Sequence, residues 1–149
     1  MTVWIDGDAC PKVIKELCFK IAIRKKILFR VVANTYFNCP SSAFIQFIQV
    51  PKGIDSADHY IAEHIALHDL VITSDIDLAA RCLVKQAHAI SPRGEVFHQN
   101  SIQQRLHMKL VHEQIREMGE VGYQAPPFSD KEKQLFANAL DRYLSRHLK

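Results

Sequence analysis

The chain has 149 residues, 48% of them apolar and 23% charged, with a net charge of +3 when the histidines are neutral. That length suits one domain with a real core, and no window nears the roughly 18 uninterrupted apolar residues of a membrane span, so no membrane association is expected. The N-terminus lacks the basic start and small-residue cleavage site of a secretory leader, and Cys10, Cys18, Cys39 and Cys82 show neither a C-x-x-C pair nor zinc-finger spacing, which together lead us to expect a cytoplasmic protein with reduced thiols.

Residues 2–6, TVWID, read as a short buried strand that delivers Asp6 and then Asp8. Pro11 suits the first turn of a helix, and Val13, Ile14, Leu17, Cys18 and Ile21 keep helical spacing to about Arg24. Residues 27–34 are rich in β-branched and aromatic side chains and read as a second strand. TYFNCPSS is a loop broken by Pro40, and 43–50 reads as a third strand. A parallel crossover usually takes a dozen residues or more. If the second and third strands are neighbours, they are expected to run antiparallel or to be joined through a short helical turn.

Residues 55–67 read as a helix with Asp55 and Asp58 in its first turn, where the helix dipole favours acids. DLVITSD, 69–75, is a continuous apolar strand of the kind covered on both faces. It runs into Asp75, Asp77 and a helix over about 77–86. A short fifth strand is expected at 87–91, then a turn at PRGE and a long helix over about 101–118. GEVGYQAPP is a linker marked by Gly119, Gly122, Pro126 and Pro127. The last helix opens at Ser129, which forms an S-x-x-E capping box with Glu132. Its apolar face is Leu135, Phe136, Ala139, Leu140, Tyr143 and Leu144.

Strands alternating with helices predict an α/β three-layer sandwich with a mostly parallel central sheet. Two additional C-terminal helices would pack on it to bury their apolar stripes. One domain is expected, with its core over about 1–98 and a helical extension over about 100–148.

In open parallel sheets, ligands sit beyond the carboxyl ends of the strands, where strand order reverses. Asp6 and Asp8 follow the first strand, and Asp75 and Asp77 follow the fourth. Asp55 and Asp58 are three apart and share a helix face that would close the same pocket. Carboxylates crowded together either rise in pKa or are neutralised by a cation. An all-oxygen ligand set suits Mg²⁺ or Mn²⁺. Two such ions about 3.5–4 Å apart can clamp the attacking and leaving oxygens of a phosphoryl displacement. The competing reading is that each aspartate is a helix cap accepting backbone N–H bonds. Asp6 and Asp75, each at a strand end, are the first choice as direct ligands. Asp8, Asp58 and Asp77 would complete the shell, and Asp55 would be a ligand or a cap. Lys15 and Arg93, the latter beside Gly94, are candidate phosphate contacts. Lys109 belongs with Arg105 and Arg116 to a basic group that could face phosphates or solvent.

VWIDGDACPKVIKE, GIDSADHYIAE, DLVITSDIDLAARCL and SPRGEVF resemble the YaiI/YqxD family of bacterial proteins over nearly the whole chain, including Phe136 and Leu140 of the last helix. The resemblance implies a PIN-like fold, which many metal-dependent nucleases share. SDIDL also looks like the acidic motif of flap-type nucleases. It points to Asp6, Asp8, Asp55, Asp58, Asp75 and Asp77 as the acidic site of a nuclease acting on RNA or single-stranded nucleic acid. Gly7 stands where the family usually has alanine, Ser91 where it has asparagine, and Lys109 where arginine is frequent. YQAP at 123–126 replaces a Gly-Gly-Pro-like segment.

Other signals are weaker. His64 and His68, with Glu63 and His59 nearby, lack the H-E-x-x-H arrangement of a zinc site. Trp4, Phe29, Phe44 and Phe47 sit in strand patterns and read as core, whereas Tyr36 and Phe37 lie in a loop and are better placed to stack on bases. Two readings compete with the nuclease. One is a haloacid-dehalogenase-like phosphatase built on the D-x-D at 6–8, in which the pair at 55 and 58 has no place. The other is a non-catalytic nucleic-acid- or partner-binding domain.

Overall fold

The computed structural model describes residues 1–53, 56–117 and 129–147. Asp55 and the linker over 119–127 lie outside the described residues. Among the described residues the chain forms strands β1 (Thr2–Asp6), β2 (Leu28–Ala33), β3 (Ile45–Gln49), β4 (Leu70–Ile72), β5 (His88–Ile90) and β6 (Val96–Phe97). The helices are α1 (Lys12–Lys25), α2 (Ser56–His64), α3 (Ile76–Val84), α4 (Gln99–Glu117) and α5 (Asp130–His147). No helix among the described residues is long and apolar enough to cross a membrane.

The sheet order is β3-β2-β1-β4-β5-β6, parallel throughout except for the β5–β6 hairpin. Side chains alternate across each strand, so Val3 and Ile5 face one layer while Trp4 faces the other. On the first face α1 supplies Ile14, Cys18 and Ile21, and α5 supplies Phe136, Leu140 and Leu144. On the second, Trp4, Val32, Val71 and Ala89 pack against Ile61 of α2, Leu78 and Cys82 of α3, and Ile102 of α4. The result is a three-layer α/β sandwich. α5 is as much a part of it as α1, since its three core residues are fully buried. α4 is anchored more lightly, with Ile102 its one buried residue among those described.

β2 and β3 pair in parallel, with Phe29 opposite Ile45 and Ala33 opposite Gln49. This corrects the antiparallel expectation, and no helical turn intervenes. Eleven residues, 34–44, make the connection. An extended run of that length reaches up to about 36 Å, well beyond the roughly 17 Å a five-residue strand requires it to retrace. The loop does the covering work of a helix, packing Phe37, Cys39 and Phe44 against the α1 side of the core. Sequence reasoning also stopped at a turn after residue 91, where the chain forms a hairpin and adds β6. Gly94, at φ 90°, makes that turn, and a Cβ there would stand 2.8 Å from the backbone of Leu135. The hairpin therefore seats directly on α5.

The sheet's N-terminal rim is closed by a buried acid. Asp69 accepts hydrogen bonds from the Thr2 N–H (2.9 Å), the Trp4 indole N–H (3.1 Å) and the Ala66 N–H (3.0 Å).

Candidate acidic site

Strand order reverses between β1 and β4, because the chain builds outward from β1 to β2 and β3 and then returns to lay β4 on β1's other side. That reversal opens a crevice at the C-terminal ends of the two strands. Asp6 and Asp8, at the end of β1, line it together with Asn34 after β2, Asp58 of α2 and Asp75 after β4, in a cleft of about 230 Å³. Four of the six predicted carboxylates thus share one cleft. Asp77 does not line it.

Asp6 is the buried member, 4% exposed. Its Oδ2 accepts from the Thr73 hydroxyl at 3.0 Å, and Asp58 is in hydrogen-bonding contact with it. Burial pushes its carboxyl from 3.8 up to about 6; the Thr73 bond opposes this, and the charges of Asp75 and Asp8 add to it. Asp8 is exposed and ties the β2 end in place, accepting from the N–H groups of Asn34 (2.7 Å) and Thr35 (3.4 Å). Asp75 caps α3, with Oδ1 accepting from the N–H groups of Asp77 (2.9 Å) and Leu78 (3.4 Å). Its own N–H donates to Thr73 Oγ1 at 3.0 Å. Asp77 turns outward and pairs with Lys109 of α4, whose ammonium also lies 4.0 Å from Asp75 Oδ1.

Among the described residues, no three His, Cys, Asp or Glu side chains already form a group able to hold a metal ion. The local duties explain this: Asp8 is tied to the β2 end, Asp75 to the start of α3, and Asp77 to Lys109. The histidines near α2 follow the same pattern. His59 pairs with Glu63, and His64 bonds the Tyr60 carbonyl.

Lys15 and Arg93 are engaged away from the cleft. The Lys15 ammonium donates to the Gly7 carbonyl at 3.0 Å and lies 3.9 Å above the Phe37 ring. It thereby braces the β1–α1 loop. Arg93 pairs with Glu132 of α5 and fastens the hairpin. Glu132 therefore completes only half of the capping box; its N–H donates to Ser129 Oγ at 3.3 Å. Gly7 lies between Asp6 and Asp8, and its N–H donates to the Val32 carbonyl at 2.9 Å. It is buried, and a Cβ there would come within 2.8 Å of Val31 Cγ1. Trp4, Phe29, Phe44 and Phe47 belong to or pack on the core, and so does Phe37, while Tyr36 stays 65% exposed.

Two residues that support the acids were missed from sequence. Thr73 is the hydroxyl that joins Asp6 to Asp75. Asn34 lines the cleft, and its Oδ1 accepts from Ser56 Oγ at 2.8 Å. Both lie at strand ends on the same rim, so the rule that singled out the aspartates would have singled out these as well.

Residues 4–146 match the family described as "Uncharacterized BCR, YaiI/YqxD family". A UPF0178 protein of Legionella pneumophila strain Lens is 52% identical over 99% of both chains. A UPF0178 protein of Cellvibrio japonicus is 45% identical over the whole of this chain and 99% of its own. One of Psychromonas ingrahamii is 44% identical over 98% of this chain and 97% of its own. No solved structure matches the chain.

Proposed function

The chain belongs to the YaiI/YqxD family, and from that premise we propose that it is a metal-dependent phosphodiesterase acting on RNA or other single-stranded nucleic acid. The observation that carries the reading is Asp6: a buried carboxyl held among Asp8, Asp58 and Asp75 at the reversal of strand order, with its pKa raised to about 6. A buried acid kept among other acids costs stability, and such arrangements cluster at functional sites.

The donor chemistry fits Mg²⁺ or Mn²⁺, which take carboxylate oxygens. Asp6, Asp8, Asp58 and Asp75 are the residues that would hold the cation. Bound there, it would supply Lewis-acid stabilisation of a phosphoryl oxygen and of developing charge. The protein's own share is positional. Thr73 orients both Asp6 and Asp75, Asn34 fixes Asp8, and the packed strand ends keep the acids from moving apart. Asp58, in contact with Asp6, gives α2 a place in the site and weighs against a phosphatase built on Asp6 and Asp8 alone. The resemblance to PIN-like nucleases supports the choice of nucleic acid as substrate.

A second reading has its own observation. Asp8, Asp75 and Asp77 each already serve a structural purpose, as they would in a binding domain without catalysis. Calorimetric titration with Mn²⁺, followed by an assay on labelled single-stranded RNA, separates the two. The nuclease reading expects millimolar or tighter binding, lost in Asp6→Asn, with affinity falling as pH drops below about 6 and the Asp6 carboxyl protonates. Wild-type protein that binds no metal and cuts no RNA would hand the site to the binding reading.

A further inference from the structure

A phosphodiester entering a cleft lined by four aspartates meets like charge, which a protein cation beside the cleft would help offset. The two cations predicted from sequence are both committed elsewhere, Lys15 to the Gly7 carbonyl and the Phe37 ring, Arg93 to Glu132. Lys109 stands differently. Its ammonium bridges from Asp77 toward Asp75, 4.0 Å from an oxygen of a residue that lines the cleft. An ordinary lysine is already cationic near neutral pH, and its place beside two carboxylates favours the charged form. Its present partner is cheap to leave: the Asp77 side chain is 60% exposed, and exposed ion pairs contribute little. The stem is presented by α4, which packs against α3, the helix that Asp75 caps.

We propose that Lys109 is the phosphate-positioning residue of the acidic cleft, exchanging Asp77 for a nonbridging oxygen of the bound nucleic-acid backbone. The proposal rests on the phosphodiesterase reading of the same site and extends it to a residue on α4. It explains why Asp77, which does not line the cleft, still belongs to the constellation: it parks the lysine when no nucleic acid is bound.

The test uses full-length wild type, Lys109→Gln and Lys109→Arg, all checked for equal folding by thermal melting. Binding of a fluorescent single-stranded RNA is followed by anisotropy with EDTA present, over a range of salt, and Mn²⁺ binding by calorimetry. Removing one phosphate contact from a single strand lowers the slope of log K against log salt by about 0.7. Lys109→Gln is therefore expected to bind RNA several-fold more weakly with that reduced slope, and Lys109→Arg to recover most of the loss. Mn²⁺ affinity in Lys109→Gln is expected to be unchanged or tighter, because a cation has left the neighbourhood of Asp75. Unchanged RNA affinity and slope in Lys109→Gln would overturn the proposal, as would absence of RNA binding by wild type or loss of Mn²⁺ binding in Lys109→Gln. The phosphodiesterase reading fails separately, on wild-type metal binding and hydrolysis. Lysine-dependent RNA binding without either would keep Lys109 and discard the nuclease.

Discussion

The paired strands β1 and β4 carry a buried aspartate at each end, and the two are built in opposite ways. At the N-terminal rim Asp69 is 7% exposed and surrounded by donors, two backbone N–H groups and the Trp4 indole. At the C-terminal rim Asp6 is 4% exposed, and around its Thr73 hydroxyl donor stand three other carboxylates, Asp8, Asp58 and Asp75. The first environment is what a fold does to an acid it needs: it solvates the charge with fixed dipoles. The second leaves the charge opposed by burial and by the charges of Asp75 and Asp8, with the Thr73 and Asp58 contacts only partly offsetting them, which a fold gains nothing by doing. Depth of burial is nearly equal, so exposure alone would not separate them; the chemistry of the neighbours does.

The widest separation should appear in stability. Asp69→Ala takes the acceptor from the buried Trp4 indole N–H, at a cost on the order of 1–3 kcal/mol, and from the part-buried Thr2 and Ala66 N–H groups, which water can partly serve. Urea denaturation at pH 7 is expected to show a loss of about 2–4 kcal/mol. Asp6→Asn should move the other way. The folded state raises this carboxyl from 3.8 to about 6, so between those values the native protein binds more protons than the unfolded chain. Stability then falls as pH rises through that window, and above it the full cost is about 3 kcal/mol. Asparagine keeps an acceptor for Thr73 and removes the charge. A gain of up to about 3 kcal/mol is expected at pH 8, shrinking to near zero at pH 4. An Asp6→Asn protein no more stable than wild type at pH 8 would erase the contrast with Asp69.

This contrast was only half legible in the sequence. The alternation of strands and helices fixed the layers, and the D-x-D pairs at strand ends located the crevice, because both follow from local pattern and a general rule of parallel sheets. Asp69 went unremarked, since its importance lies in an indole and two amides brought to it by the pairing of β1 with β4. The parallel β2–β3 pair was misjudged because loop length was weighed without asking how far an extended loop reaches. Lys15 and Arg93 were assigned by nearness in sequence to the acidic loop and the PRGE turn, yet packing sends one beneath that loop and the other to α5. Lys109, distant in sequence from both aspartates it meets, could be placed only by the packing of α4 on α3.

Asp75 lies between the two extremes, because it both caps α3 and lines the cleft. The two duties come apart on substitution. Asparagine caps as well as aspartate, whereas alanine does not. Asp75→Ala is expected to lose about 1 kcal/mol, and Asp75→Asn to change stability far less. Both should lose Mn²⁺ affinity by calorimetry, and both should lower the Asp6 pKa by removing a like charge, which carboxyl-carbon NMR would read directly. Metal affinity that survives in Asp75→Asn would make this residue a cap alone and narrow the cleft's working set to Asp6, Asp8 and Asp58.

Asp77 should give the smallest effect, and its smallness is informative. Its side chain is 60% exposed and its partner is the Lys109 ammonium, an ion pair expected to contribute at most about 1 kcal/mol. Asp77→Asn is therefore expected to melt within a few degrees of wild type and to bind Mn²⁺ nearly as well. The released lysine then keeps only the weaker pull of Asp75 and Glu113, so RNA binding in low salt should hold or improve slightly. A large loss of metal affinity in Asp77→Asn would instead mean that the side chain swings inward when the cation arrives. In that event the cleft would recruit a carboxylate from the exposed turn of α3, and burial would be a poor guide to membership of the site.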